Sequence, residues 1–288
     1  MKLFRYGDAG KEKPAVLTND GIKLDISAFG EDFDENFFGT DGMKRLHNWL
    51  SKNSSQCTEI NEVKRFGPPL KRPSKIVCIG LNFSDHAKET IAKVPDEPVI
   101  FFKSTSAING PNDDVIIPKT SVKTDWEVEL ALVIGRKVSY VNEKDAMTHV
   151  AGYVLHNDYS ERAFQIERSG QWVKGKSCDT FAPVGPYIVS TDEIKDVNNL
   201  RMWLSVNDKM MQDSNTSYMV FKIPFLVSYI SQFMTLLPGD IISTGTPAGV
   251  GLGQQPQPIY LKAGDKVALG IDGLGEAVQH LVDWKKND

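Results

Sequence analysis

The sequence predicts a mostly β fold with some helix: a mixed β-sandwich or rolled sheet with a few helices outside it, behind a small N-terminal α/β portion. Three observations carry this. Short β-type runs recur from Lys75 to Val282. Helical stretches are few and do not alternate with strands in the βαβ manner of a Rossmann fold or a TIM barrel. The chain is also interrupted at Gly67-Pro68-Pro69, where paired prolines stop both helix and central strand. That break divides it into a small segment, 1–67, and a large one, 68–288.

In the first segment, Phe4, Ala15–Leu17 and Ile22–Leu24 read as strand pieces separated by Gly and Asp turns. Asp41–Lys52 carries Met43, Leu46, Trp49 and Leu50 at helical spacing. In the second segment the expected strands are Lys75–Leu81, Pro98–Lys103, Glu127–Ile134, Gly152–His156, Gly185–Val189 and Ile241–Thr244. Two hairpins are expected as well. Leu200–Val206 and Lys209–Gln212 flank Asn207-Asp208, and Lys266–Ile271 and Gly275–Val282 flank a turn at Asp272-Gly273. Helices are expected at Phe83–Ala92, Glu143–Met147 and Phe221–Leu236.

The 288 residues are 41% hydrophobic and 24% charged, with a net charge of −4 and scattered lysines and arginines. This composition is ordinary for a soluble globular chain and argues against a nucleic-acid partner, which calls for a basic patch. No apolar run approaches the roughly 20 residues that span a bilayer. The N-terminus, MKLFRYGDAGKEK, has no apolar leader core, so a cytoplasmic location is expected. Cys57, Cys78 and Cys178 are an odd number at wide spacing, which fits neither a disulfide framework nor a zinc-ligand pattern.

The segment Asp125–Ile134 carries the strongest chemical signal. One strand face presents Val128, Leu130, Leu132 and Ile134; the other presents Glu127, Glu129, Ala131 and Val133. A strand with apolar residues on both faces is usually covered on both. Two carboxylates about 7 Å apart on a covered face repel and lose hydration, and a bound cation would relieve both penalties; a solvated strand end is the other reading. The apolar run Tyr153–Leu155 ends in His156-Asn157-Asp158, so Asp158 is either a third oxygen ligand or a turn or cap residue. Three carboxylates suit Mg²⁺ or Mn²⁺, hard cations that take oxygen ligands. His86 and Glu89 are three apart on the expected helix, so they form either an oriented general base or a surface pair.

Taken in order, these runs resemble the fumarylacetoacetate hydrolase superfamily over residues 70–282. The runs are Gly80-x-Asn82-Phe83-x-x-His86-x-x-Glu89, Phe101-Phe102-Lys103-Ser104, Glu127-x-Glu129, and Asn157-Asp158-x-Ser160-x-Arg162-x-x-Gln165. They continue with Lys176-Ser177-Cys178-Asp179-Thr180-Phe181, and with Gly239-Asp240 followed by Thr244-Gly245-Thr246-Pro247-x-Gly249-Val250-Gly251. Phe83 departs from the pattern, since many relatives have tyrosine there.

The resemblance implies a β-roll catalytic domain, a homodimer, and Mg²⁺ or Mn²⁺ on Glu127, Glu129 and Asp158. It implies a small-molecule substrate, a 2-keto or 2,4-diketo acid, cleaved at a carbon–carbon bond. Relatives that isomerise or decarboxylate such acids, and a branch labelled both as 2,4-diketo-3-deoxy sugar acid hydrolases and as ureidoglycolate lyases, are the alternatives. A non-catalytic acid-binding protein is disfavoured because neither the carboxylates nor the His86–Glu89 pair is lost. On this reading His86, oriented by Glu89, takes a proton from water. Lys176 offsets developing negative charge, and Arg162, Gln165 and Thr246 position the substrate, with Lys103 as a second cation. Gln171 and Trp172 are placed near the substrate tail, and Phe83–Ala92 is expected to act as a lid.

Overall fold

The computed structural model describes residues 1–85 and 95–285. The expected mostly β fold is what forms, and its centre is the strand Val128–Ile134, no residue of which is exposed. It pairs antiparallel with Val150–Asn157 on one side and with Ile241–Ser243 on the other. Ile241–Ser243 runs parallel to Ile76–Gly80, which pairs with the edge strand Val99–Lys103. In the opposite direction Val150–Asn157 pairs with Ile188–Ser190, and that strand pairs with Lys2–Tyr6. The N-terminal strands Lys2–Tyr6, Lys13–Leu17 and Lys23–Asp25 are thereby continuous with the sheet that follows residue 75.

A second sheet orders its strands as Lys209–Asn215, Arg201–Val206, Lys266–Ile271, Gly275–Asp283 and Val115–Ile117. Both expected hairpins are present in it. Asn207 and Asp208 adopt φ of 49° and 64°, the left-handed pair that a two-residue turn needs and that Asn and Asp tolerate best after glycine.

The two faces of the central strand meet different cores. Val128, Leu130, Leu132 and Ile134 pack with Met202, Leu204, Val267 and Leu269 of the second sheet. Ala131 and Val133 pack with Leu3, Ile76, Phe37, Phe38 and Ile241 on the N-terminal side. Each fully buried Val, Leu or Ile contributes about 1.5–3 kcal/mol relative to exposure. A central strand covered on both faces is therefore a strong anchor for the residues at its end.

Helices differ from expectation at their boundaries. The expected Asp41–Lys52 helix is Gly42–Asn53. The expected Phe221–Leu236 helix stops early, at Ile223–Ser231. The chain leaves it because Leu236 exchanges two backbone hydrogen bonds with Val138, of 2.9 and 3.0 Å, so the last residues of the apolar run form a bridge. Glu143–Ala146 is helical and tightens into a 3₁₀ turn at Met147–His149. The helix expected at Phe83–Ala92 falls largely outside the described residues.

Candidate active site

The antiparallel register builds the site. Val128 is opposite Asn157 and Glu129 is opposite His156, so the start of one strand meets the end of the other. Asp158 continues past Asn157, and its N–H donates to the Glu127 carbonyl at 2.9 Å. Asn157 Oδ1 accepts the Glu127 N–H at 3.0 Å. As a result Glu127, Glu129 and Asp158, all buried, each place one carboxylate oxygen within 4.8 Å of the other two.

Cations surround this group. Lys176 Nζ lies 2.7 Å from Glu127 Oε2 and 2.8 Å from Asp158 Oδ2. Lys103 pairs with Asp158 and donates to the Tyr159 carbonyl at 3.0 Å. Arg162 contacts both Asp125 and Glu127 at 2.7 Å and donates to Gln165 Oε1 at 3.1 Å. Burial alone would raise the Asp158 carboxyl, but Lys103 and Lys176 outweigh it and hold it well below the usual range. Burial would likewise lower the Lys176 ammonium, yet Asp158 and Glu127 push it up, so it stays charged. Glu129 behaves oppositely. Burial, then the charges of Asp158 and Glu127, raise its carboxyl well above the ordinary value.

The charge balance states what the cluster lacks. Among the described residues around the site, the four buried carboxylates of Asp125, Glu127, Glu129 and Asp158 face the three buried cations Lys103, Arg162 and Lys176. With all four ionised one negative charge would be in excess, and the raised Glu129 carboxyl, which holds its proton until a cation displaces it, is where that excess is felt. An all-oxygen donor set carrying surplus negative charge fits a divalent metal ion.

Several residues that complete the site are given no role by the sequence reading. Ser243, at the end of an apolar strand, donates to Glu129 Oε2, which also accepts the Gly245 N–H at 3.0 Å. Ser243 Oγ also shares a 2.7 Å hydrogen bond with Nδ1 of the buried His156. Burial lowers its pKa to about 3, so it is neutral, and its Nε2 is the one buried side-chain polar atom without a partner among the described residues. Asp125 accepts from the Gly251 N–H at 2.6 Å and the Leu252 N–H at 3.0 Å. It thus ties the glycine-rich loop to Arg162. The rule that flagged Asp158, a polar residue ending an apolar strand, applies equally to Ser243.

Glu127 and Glu129 open onto a cavity of about 220 Å³, with Asp158 behind them. Glu127, Glu129, Arg162, Gln165, Lys176 and Thr246 all line it. Lys103 stands behind Asp158 and is not part of that lining. The Thr246 hydroxyl donates to the Val128 carbonyl at 2.9 Å and accepts from Gln212 Nε2 at 2.9 Å. Its side chain is therefore committed to the wall. His86 and Glu89, and with them the lid expected at Phe83–Ala92 beyond its first three residues, lie outside the described residues. Phe83 itself is fully buried and bridges to Met219.

Residues 75–282 match the family model for the fumarylacetoacetate (FAA) hydrolase C-terminal region. A Burkholderia lata protein provisionally named a hydrolase is 48% identical over 283 residues, 98% of this chain and 99% of that one. Among solved structures, maleylpyruvate hydrolase from Sphingobium sp. SYK-6, in complex with manganese(II) and pyruvate, is 30% identical. It covers 99% of this chain and 100% of its own, with a TM-score of 0.81. A 5-carboxymethyl-2-hydroxymuconate delta-isomerase from Mycobacterium smegmatis is 31% identical, with the same coverage and a TM-score of 0.75.

Proposed function

Because this chain belongs to the fumarylacetoacetate hydrolase family, we propose that it is a Mg²⁺- or Mn²⁺-dependent hydrolase that cleaves a carbon–carbon bond in a 2,4-diketo acid of the acylpyruvate type. The observation that carries this reading is the buried triad Glu127, Glu129 and Asp158, two of whose members, Glu127 and Glu129, line a cavity that also presents Lys176. Glu127, Glu129 and Asp158 would hold the ion. When bound, it supplies Lewis-acid polarisation of a keto oxygen and turns the local balance positive, which suits an acidic substrate.

The remaining steps belong to the chain itself. The Lys176 ammonium, kept protonated between Glu127 and Asp158, offers positive charge and N–H donors where enolate charge develops. Arg162 is held by Asp125 and Glu127, and it takes Gln165 Oε1. That orients the Gln165 carboxamide so that its NH₂ is the end left to donate to the substrate. His86, oriented by Glu89, removes a proton from the water that attacks the distal carbonyl. The bond between that carbon and the pyruvate methylene then breaks. Its electron pair becomes the pyruvate enolate, which takes up a proton to give pyruvate, and the acyl part leaves as a carboxylic acid.

A second reading, isomerisation of a 2-keto acid on the same site, is favoured by the 31% identity to a delta-isomerase. It needs no attacking water. A panel of 2,4-diketo acids and 2-hydroxymuconate-type acids, assayed with Mg²⁺ or Mn²⁺, separates the two. Release of pyruvate is expected. Isomerised product with no pyruvate would replace the hydrolase by the isomerase. A homodimer is part of the proposal on the strength of the family resemblance and is checked by sedimentation. No helix among the described residues is long and apolar enough to cross a membrane.

A further inference from the structure

We propose that Trp172 sets the length of the substrate tail, and that the tail is a short, uncharged, apolar acyl chain; this rests on the acylpyruvate reading above. Beyond the cavity of about 220 Å³ lies an outer pocket of about 430 Å³. Phe101 and Trp172 line both and so form the partition between them. Their rings meet edge-on, with centroids 5.2 Å apart at 61°. Lys176 Nζ sits 4.9 Å from the Phe101 ring centroid. Moving away from the carboxylates, the order is thus Lys176, Phe101, Trp172, outer pocket. Trp172 is also tied to Lys176 through the backbone, its carbonyl accepting the Lys176 N–H at 3.1 Å.

Two further observations support this reading. Away from the triad, the described lining beside the two aromatic rings is mostly apolar, Ile79, Leu81, Ile166, Val250 and Leu252, with Gln165 and the wall-bound Thr246 as its uncharged polar side chains. The two cations of that lining, Arg162 and Lys176, each already meet two carboxylates. Among the described residues a distal carboxylate would lose water there without gaining a free cation, and a polyhydroxyl tail would find only the Gln165 carboxamide, whereas an alkyl tail loses nothing. The second observation is Gly80. A Cβ at that position would lie 2.6 Å from Cζ3 and 3.0 Å from Cη2 of Trp172, and otherwise only 3.6 Å from Val99. Gly80 is not among the positive-φ glycines. It is the indole lying across the strand, not the backbone, that requires glycine there.

The test measures kcat/KM for acylpyruvates with straight tails of increasing length, beside one with a terminal carboxylate. In parallel, calorimetry measures affinities of straight-chain 2-keto acids for the Mg²⁺-loaded protein. Wild type is expected to prefer short alkyl tails, falling by roughly 10–200-fold for the first methylene that meets the ring. W172A and W172L should each move the limit to longer chains in both measurements. G80A should tighten the limit in wild type by displacing the ring, and should have no such effect in the W172A background. An unchanged length profile in W172A and W172L, or a wild-type preference for the carboxylate tail, overturns the proposal. If no acylpyruvate is cleaved while the 2-keto acid length limit still moves with Trp172, the hydrolase reading fails and the tail-limiting role of Trp172 stands.

Discussion

Burial and the neighbouring carboxylates of Asp158 and Glu127 hold the Glu129 carboxyl well above the usual range, so the metal-free folded protein keeps a proton that the unfolded chain gives up above a pH of about 4.3. For a raised carboxyl the sign is that ionisation costs stability as pH rises from the unfolded value toward the folded one. A metal ion binds the ionised form and displaces that proton. Metal binding is therefore expected to release protons, with affinity weakening as pH falls. Calorimetry in two buffers of different ionisation enthalpy reads this directly, and a binding heat independent of buffer would show that Glu129 is already ionised. The proposed base is separable from the metal. His86→Ala should lower pyruvate release by about 10²–10⁴-fold, the range of a general base, with metal affinity near wild type. Loss of metal binding in that variant would make His86 a ligand instead. At this scale the sequence disclosed the charged residues and concealed their supports. Glu127, Glu129 and Asp158 stand out as charges in apolar strands. Ser243 and Asn157 look like ordinary small polar residues, and Ser243 reaches Glu129 across 114 positions.

The elements that carry the two cavity-lining cations, Arg162 and Lys176, are two short helices, Arg162–Ile166 and Val173–Lys176, packed against each other through Gly175. A Cβ at Gly175 would lie 2.4 Å from the Glu161 carbonyl oxygen and 2.6 Å from both Gln165 N and Cβ. Gly175→Ala is expected to part the helices, at a cost of about 1–3 kcal/mol as for other overpacked sites. It should lower activity by more than its stability loss explains, because Lys176 and Gln165 move in opposite directions. Melting temperature and kcat measured on the same preparation check this, and an active, equally stable variant would show that the helices are not held at this distance. Strands were the elements best read from sequence. Val128–Ile134 and the two hairpins follow from alternation and turn chemistry, which are local. Helix ends were not readable, since the early stop at Ser231 depends on a bridge to Val138, 98 positions before Leu236. The approach of Gly175 to Glu161 is likewise a packing fact with no local signature.

At the scale of the molecule, the central strand of the large sheet is covered by the second sheet on one face and by the N-terminal elements on the other, and the site forms at the end of that strand where its antiparallel neighbour finishes. The joining of the N-terminal strands to the large sheet through Leu3 opposite Ile188 spans most of the chain and leaves no trace in local pattern. The mostly β character did leave one, in the scarcity of helical periods. What the architecture delivers is three carboxylates buried away from water, which with Asp125 make four acidic groups against three buried cations. The most direct test is a metal titration of chelator-stripped protein, read by calorimetry and by pyruvate release from an acylpyruvate, in wild type and in Asp158→Ala. One Mg²⁺ or Mn²⁺ per chain should restore wild-type activity from near zero, and Asp158→Ala should neither bind the ion nor recover. Full activity in the metal-free protein, or undiminished binding and activity in Asp158→Ala, would contradict the account.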